Sequence, residues 1–362
     1  MHAELPDTPL DIVGDIHGEH AALCALLAVL GYDDAGRHPG GRRLVFVGDL
    51  CDRGPDSPAV VAHVRALVQS GRAQALLGNH ELNLLRGQRK QGSDWFWNEN
   101  AARDARFAPY AVLANAAERA EVLSFFGTLP LTLSRPDLRV VHAAWDSPSV
   151  ACLARLQDAG GVAELFERLD DETDVALLTQ GWRAAARAEK APWRHRLGDP
   201  GAPVPMLRAV AHCDQARQLL NPLRVLTSGL ERPAPAPFFH NGQWRFTERL
   251  PWWDGYFEDT PVVVGHHWRH VWPLDRVRLG RTSPDLFGDA PAQAWLGARG
   301  NVFCVDFSVG GRWLERRSGL VPGTHTRLAA LRWPERTLVF DDGQMLETTG
   351  FADAPATAPL AG

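Results

Sequence analysis

Cysteine is scarce in this 362-residue chain and poorly placed for its usual structural roles. The five present, Cys24, Cys51, Cys152, Cys213 and Cys304, are odd in number, lie far apart and include no CxxC pair. That excludes a disulfide framework and a thiolate zinc finger, and leaves small buried residues or free thiols. Long apolar runs are missing too. The longest, Ala21 to Gly31, is about half of the ~20 residues a membrane-spanning helix needs, so no such helix is expected. No block of like charge occurs, and the formal charge of -5 is spread along the chain. This leaves no broad cationic surface for duplex nucleic acid or an anionic membrane. The opening MHAELPDTPL lacks the basic segment and apolar core of an export signal, and a cytoplasmic location is expected. Also absent are a GxxxxGK[ST] phosphate loop, a GxGxxG fingerprint, an HExxH pair and a GxSxG nucleophile turn, so those four chemistries find no support.

What is present begins with apolar, β-rich runs that stop abruptly in polar residues: LDIVGDIHG, RLVFVGDLCDRG and AQALLGNHE. Helical spacing separates them, at Ala21 to Leu30 and Pro58 to Val68, which predicts a βαβαβ opening. Further strands are expected at LRVVHAAW, LRVLTSG, TPVVVGHHW, NVFCVDFSVG and the pair LAALRW and TLVF. The fold class is therefore α/β or α+β, with a mixed sheet layered against another sheet or helices. Pro/Gly-rich stretches at 191–205, 231–237 and 280–292 read as loops or insertions. The end, FADAPATAPLAG, has too few large apolar groups to offset ordering and is expected to be a flexible tail over 351–362.

In three successive units the residues at the strand-to-loop transition are Asp15 and His17, then Asp49, Asp52 and Arg53, then Asn79 and His80. The carboxyl ends of strands in an open α/β sheet form the crevice where ligands bind, so these side chains should converge. Oxygen donors from Asp15, Asp49 and Asn79, with the imidazoles of His17, His142 and His266, suit divalent zinc, manganese, iron or magnesium better than copper. Each piece alone is an ordinary turn or helix cap, but five strand ends placing unpartnered polar groups together is costly without a ligand. Gly14, Gly18, Gly48, Gly54 and Gly78 flank the same positions.

Here a resemblance becomes specific. GDIHG, GDLCDRG and GNHE resemble the three signature blocks of the phosphoprotein-phosphatase branch of calcineurin-like metallophosphoesterases, which also includes bacterial diadenosine tetraphosphate hydrolases. VHAAW and VVVGHHW resemble its later histidine blocks, and the match spans residues 11 to 270. The resemblance implies a four-layer αββα sandwich of two mixed sheets flanked by helices. It implies a single domain over 1–350, with loop insertions around 181–260 and 275–299. It implies that Asp15, His17 and Asp49 bind one metal ion while Asp49, Asn79, His142 and His266 bind a second. Within GHHW the family places the ligand directly after the glycine, and adjacent strand residues point to opposite sides, so His266 rather than His267 is chosen. Two departures stand out: HAA at His142, and VDFSVGG in place of a DTG-like segment at Asp306.

Two cations about 3.5 to 4 Å apart would lower the pKa of a shared water, making bridging hydroxide the nucleophile rather than a protein side chain. Arg53 offers a planar set of donors suited to phosphate oxygens, with Asn79 beside it. His80 is the candidate acid for the leaving group, and by resemblance Asp52 orients it and supports its charged form. Glu81 is left out of the catalytic set and assigned a dipole or buried polar contact. The leading expectation is a metal-dependent hydrolase of phosphate esters or anhydrides, acting on a phosphorylated small molecule or nucleotide such as a dinucleoside polyphosphate. A serine/threonine protein phosphatase is the competing enzyme. A metal-stabilised binding module, using Trp, Arg and Pro residues at 182–196 and 231–253, is the reading from another class. Of the thirteen tryptophans, Trp145, Trp182, Trp193, Trp252 and Trp268 are candidate base-stacking platforms, against a default of core or loop packing.

Overall fold

Alternation along the strands builds two packed sheets. In the computed structural model, which describes residues 1–156, 160–240, 242–272 and 284–352, the strands are β1 (His2–Glu4), β2 (Leu10–Val13), β3 (Arg43–Phe46), β4 (Ala73–Ala75), β5 (Thr132–Arg135), β6 (Leu138–Val141), β7 (Glu231–His240), β8 (Gln243–Arg249), β9 (Val262–Val264), β10 (Val302–Cys304), β11 (Ala329–Trp333), β12 (Thr337–Phe340) and β13 (Met345–Glu347). One sheet runs β1-β5-β6-β9-β10 and the other β13-β12-β11-β2-β3-β4, while β7 and β8 pair separately. Both large sheets are mixed: β2, β3 and β4 are parallel, β11 joins β2 antiparallel, and β6, β9 and β10 are parallel.

Period-two patterning divides the core. Leu10, Ile12, Val45 and Val47 from one sheet meet Leu138, Val140, Val263, Phe303 and Val305 from the other in one buried cluster. The alternate residues Val13, Leu44, Phe46, Val141, Val262, Val264 and Cys304 join a cluster with the helices, including Leu23, Leu26, Val60 and Val64 from helices His20–Leu30 and Ser57–Gln69. This is the expected layering of helices outside two facing sheets. Among the described residues no helix is long and apolar enough to cross a membrane.

Two elements differ from the sequence reading. LRVLTSG, expected as a strand, is nearly all of helix Pro222–Ser228 with its C-cap Gly229. Its apolar run carries no periodicity to separate strand from helix, but the Asn221 side chain caps the Leu223 N–H, Pro222 presets the first turn and Gly229 ends it. ERPAPAP, expected as a loop, is the first half of β7. Its prolines are tolerated because β7 pairs on one side only, with an irregular register between Pro233 and Phe238. The 181–260 segment also contains helices Trp182–Lys190 and Arg208–Leu219. With the β7-β8 hairpin it has a small core of its own, formed by Val204, Leu207, Val210, Ala211 and Phe246. Phe351, placed by the sequence in the tail, packs edge-on to Trp295 at 4.6 Å with Arg336 over its ring. Residues 353–362 of that tail, and 275–283 of the second insertion, lie outside the described residues. All five cysteines are free thiols.

Strand β2 also holds a buried charge. Asp11 is fully buried and accepts from Arg42 Nε at 3.1 Å and Tyr32 Oη at 2.9 Å, with Arg332 Nε 3.3 Å away. Removing one partner of such a pair strands the other in low dielectric. Asp11→Ala is expected to destabilise the fold by about 3 kcal/mol in urea unfolding, with Asp11→Asn costing less.

Candidate metal centre

Strand register brings the expected side chains together. Val13, Phe46 and Ala75 are in line across β2, β3 and β4, and Val141, Val264 and Cys304 across β6, β9 and β10. Asp15, Asp49, Asn79, His142, His266 and Asp306 therefore all emerge just beyond the carboxyl ends of parallel strands.

Asp49 sits at the middle of the cluster, 2 % exposed. Its Oδ1 lies 3.4 Å from His142 Nε2, and its Oδ2 lies 3.7 Å from His17 Nε2 and 3.8 Å from His80 Nε2. One donor atom each from His17, Asp49 and His80, and likewise from Asp49, His142 and His266, falls within 4.8 Å of its companions. Asp15 Oδ2 is 3.9 Å from His17 Nε2, and Asn79 Oδ1 is 3.3 Å from His142 Nε2.

The second nitrogen of each imidazole fixes its orientation. His17 Nδ1 donates to the Cys51 carbonyl at 3.0 Å, and His142 Nδ1 donates to the Val47 carbonyl at 2.8 Å. Both rings thus aim Nε2 into the cluster, the arrangement a metal-ligating histidine needs. His266 Nε2 is buried with no hydrogen-bond partner, an orphan that a cation would satisfy. His267 Nε2 instead donates to the Ala143 carbonyl at 2.8 Å, and burial pushes its pKa down to about 3. The structure therefore turns His266, not His267, toward Asp49 and His142.

The electrostatics are those of buried acids and imidazoles acting on one another, with two guanidiniums nearby. Burial, together with the Asp306 and Asp49 carboxylates, holds Asp15 well above the ordinary carboxylate range. Burial also pushes Asp49 up, but His142 and His80 outweigh it and hold Asp49 well below that range. Burial lowers His17 and His266 well below the usual imidazole value, with Arg53 and Arg249 respectively adding to the effect, which keeps their lone pairs available. Burial pushes His142 down, but the Asp49 and Asp15 carboxylates outweigh it and hold it up at about 10, a proton that a bound cation would displace. With that proton gone, the donor set of carboxylates, one amide and imidazoles fits divalent cations.

Asp52, Arg53 and His80 form the adjoining group. His80 Nδ1 is 2.5 Å from Asp52 Oδ2, and Asp52 Oδ1 accepts from the buried Trp95 indole at 2.6 Å. Arg53 Nη1 and Nη2 lie 2.9 and 3.0 Å from the Nε2 atoms of His17 and His80, and its guanidinium stands over Trp268 at 5.0 Å. His17, Asp49, Asp52, Arg53 and His266 all have positive φ, between 47° and 74°, a region that non-glycine residues enter at a cost and mostly at functional sites. Glycine is required at Gly78, where a Cβ would lie 2.3 Å from Asp49 Oδ1.

Glu81 makes the buried polar contact expected of it. Its Oε2 accepts from the backbone N–H of Asp49 at 2.9 Å and of Gly78 at 3.0 Å, and its Oε1 accepts from Leu50 N–H at 2.8 Å. Three site residues escaped the sequence reading as contributors. Asp306 ends an apolar strand as Asp15 does and accepts from Trp268 and Ser308 N–H at 2.8 Å, so the strand-end rule was able to find it. Trp95 had no signal beyond its size. Arg249 ends β8, within electrostatic reach of His266, Asp306 and Asp49, and no local pattern announced it. Of the candidate stacking tryptophans, Trp145 and Trp252 are core residues, whereas half-buried Trp268 borders the site.

The family model for calcineurin-like phosphoesterases matches residues 8–212, more than half of the chain. The chain belongs to that family. Among curated proteins, this phosphoesterase is 49% identical over 73 residues to the asymmetrical bis(5'-nucleosyl)-tetraphosphatase PrpE of Anoxybacillus flavithermus, covering 19% of this chain and 30% of that one. It is 36% identical over 124 residues to the symmetrical bis(5'-nucleosyl)-tetraphosphatase of a Janthinobacterium species, covering 32% and 40%. The matched stretches thus span well under two thirds of these relatives. A solved cold-active protein-tyrosine phosphatase of a psychrophilic Shewanella species aligns over 96% of this chain and 82% of its own, at 16% identity and a TM-score of 0.47.

Glu81→Ala would leave three buried N–H groups of two metal-site loops without an acceptor, at roughly 1 to 3 kcal/mol each. A loss of about 3 kcal/mol or more in unfolding free energy is expected, together with a lower metal content by elemental analysis.

Proposed function

We propose that the protein hydrolyses a phosphate ester or phosphoanhydride at two divalent cations, with a dinucleoside polyphosphate as substrate. The observation carrying this reading is the shared position of Asp49, whose one oxygen faces His142 while the other faces His17 and His80. In this assignment Asp15, His17 and Asp49 hold one ion, and Asp49, Asn79, His142 and His266 hold the other. Manganese, iron, zinc and magnesium all suit such donors. Bound there, the two ions would lower the pKa of a shared water and neutralise phosphoryl charge during in-line displacement.

The remaining work falls to side chains. The Arg53 fork already spans two imidazole nitrogens facing the cluster, a geometry matched by two phosphate oxygens. Arg249 supplies a second guanidinium near the same carboxylates. His80 Nε2, which faces Arg53 Nη2 in the free protein, is the candidate acid for the departing oxygen, while Asp52 at its Nδ1 holds the ring in place and Trp95 holds Asp52. A purely metal-stabilised binding module has no need of this Trp95–Asp52–His80 chain. The nucleotide part of the proposal rests on the names of relatives matched over short stretches.

Steady-state hydrolysis of p-nitrophenyl phosphate, diadenosine tetraphosphate and a phosphothreonine peptide, with added manganese, tests the reading. The expected result is chelator-sensitive turnover, fastest on the dinucleotide. Loss of the general acid in His80→Asn should lower kcat by about 10² to 10⁴-fold, and Asp49→Asn should abolish both activity and metal retention. Preference for the phosphopeptide would point to the protein phosphatase, and no turnover with two metals bound would sink the enzyme reading. Arg249→Met should raise KM about tenfold, since a charge-assisted contact contributes roughly 1.5 kcal/mol.

A further inference from the structure

Away from the phosphoesterase centre, three metal-ligating side chains that its chemistry does not use come together. His20 and Cys24 are one turn apart on helix His20–Leu30, and His63 lies on helix Ser57–Gln69. The i, i+4 spacing puts the first two on one face of their helix. His20 Nε2 is 3.3 Å from His63 Nδ1 and 3.6 Å from Cys24 Sγ, and one donor atom from each residue falls within 4.8 Å of the others.

Those two edges have a specific meaning. A tetrahedral zinc ion with Zn–N near 2.05 Å and Zn–S near 2.3 Å separates two nitrogens by about 3.3 Å, and a nitrogen from a sulfur by about 3.6 Å. The same distances admit a hydrogen-bonded chain from His63 through His20 to Cys24, which a bound ion would replace. Both imidazoles are half-buried, and Cys24 is the exposed member of the five cysteines. Burial and the adjacent His20 ring lower the His63 pKa below its ordinary value, leaving it neutral and free to donate a lone pair.

We propose that His20, Cys24 and His63 form a separate peripheral metal site that takes zinc or a similar borderline-soft divalent ion, with a fourth position open to water or to a ligand from outside the chain. The thiolate distinguishes it from the cleft, whose donors are carboxylates, an amide and imidazoles, and favours zinc over manganese or magnesium. Its placement gives it a consequence. Helix His20–Leu30 starts three residues after His17, and helix Ser57–Gln69 starts four residues after Arg53. An ion joining the two helices therefore ties together the elements that follow two of the catalytic loops.

Cobalt titration of the metal-free full chain tests this, because a thiolate-to-cobalt charge-transfer band in the near ultraviolet reports sulfur ligation whatever occupies the cleft. Cobalt in excess of three equivalents, enough to fill the cleft as well, is expected to produce the band in the wild type and in Asp49→Asn, with zinc displacing it and shielding Cys24 from iodoacetamide. Cys24→Ser and His63→Ala should lose the band while keeping metal-dependent phosphate hydrolysis. Absence of the band in the wild type, or its survival in Cys24→Ser, would overturn the site. Either result leaves the phosphoesterase reading to stand or fall on its own turnover assay.

Discussion

The Glu81 carboxylate is the tie on which the centre depends. It has no exposed surface, and its two oxygens collect the N–H groups of Asp49, Leu50 and Gly78. Two loops leaving two neighbouring strands are thereby held at one distance, and that distance sets how Asp49 and Asn79 stand to one another. Burial and the nearby Asp49 carboxylate push the Glu81 pKa above its usual value. Hydrogen bonds from backbone donors are strongest to a charged acceptor in a low-dielectric interior. With the loops fixed, the Asp49 Oδ1 is free to accept from His80 N–H at 3.0 Å, which sets the His80 imidazole relative to the Asp49 carboxylate.

Around that tie, orientation is imposed from outside the cluster. Carbonyls of Cys51 and Val47 hold the rings of His17 and His142, and the Asp15 carboxylate accepts from His266 N–H at 3.1 Å. The His17 contact joins two strand ends of one sheet, whereas the His142 and His266 contacts each join strand ends of different sheets and need both sheets assembled. The centre is therefore a property of the tertiary fold, and no local segment of the chain carries it alone.

What the sequence disclosed follows from that distinction. Gly-Asp and Gly-Asn pairs after apolar runs mark strand ends locally, and this made Asp15, Asp49 and Asn79 legible, with His142 and His266 following from later runs of the same kind. The choice between His266 and His267 followed from the alternation of strand residues together with the family pattern. Helix Pro222–Ser228 was misread because its apolar run is as consistent with a strand, although Asn221-Pro222 carried a capping signal that outweighs the run. The proline-rich half of β7 was misread because a two-stranded ribbon leaves one edge free of the donors that proline lacks. Arg249 was invisible for a deeper reason: only the folding of the β7-β8 hairpin onto the sheets brings it near Asp306, and nothing within the hairpin's own sequence encodes that approach.

The small separate core of Val204, Leu207, Val210, Ala211 and Phe246 shares no residue with the clusters that position the strand ends. The helices and hairpin resting on it are thus packed independently of the frame that carries Asp15, Asp49 and His142. Arg249, at the end of β8, is tied to that second packing unit, so a change in this core reaches the guanidinium without passing through the frame.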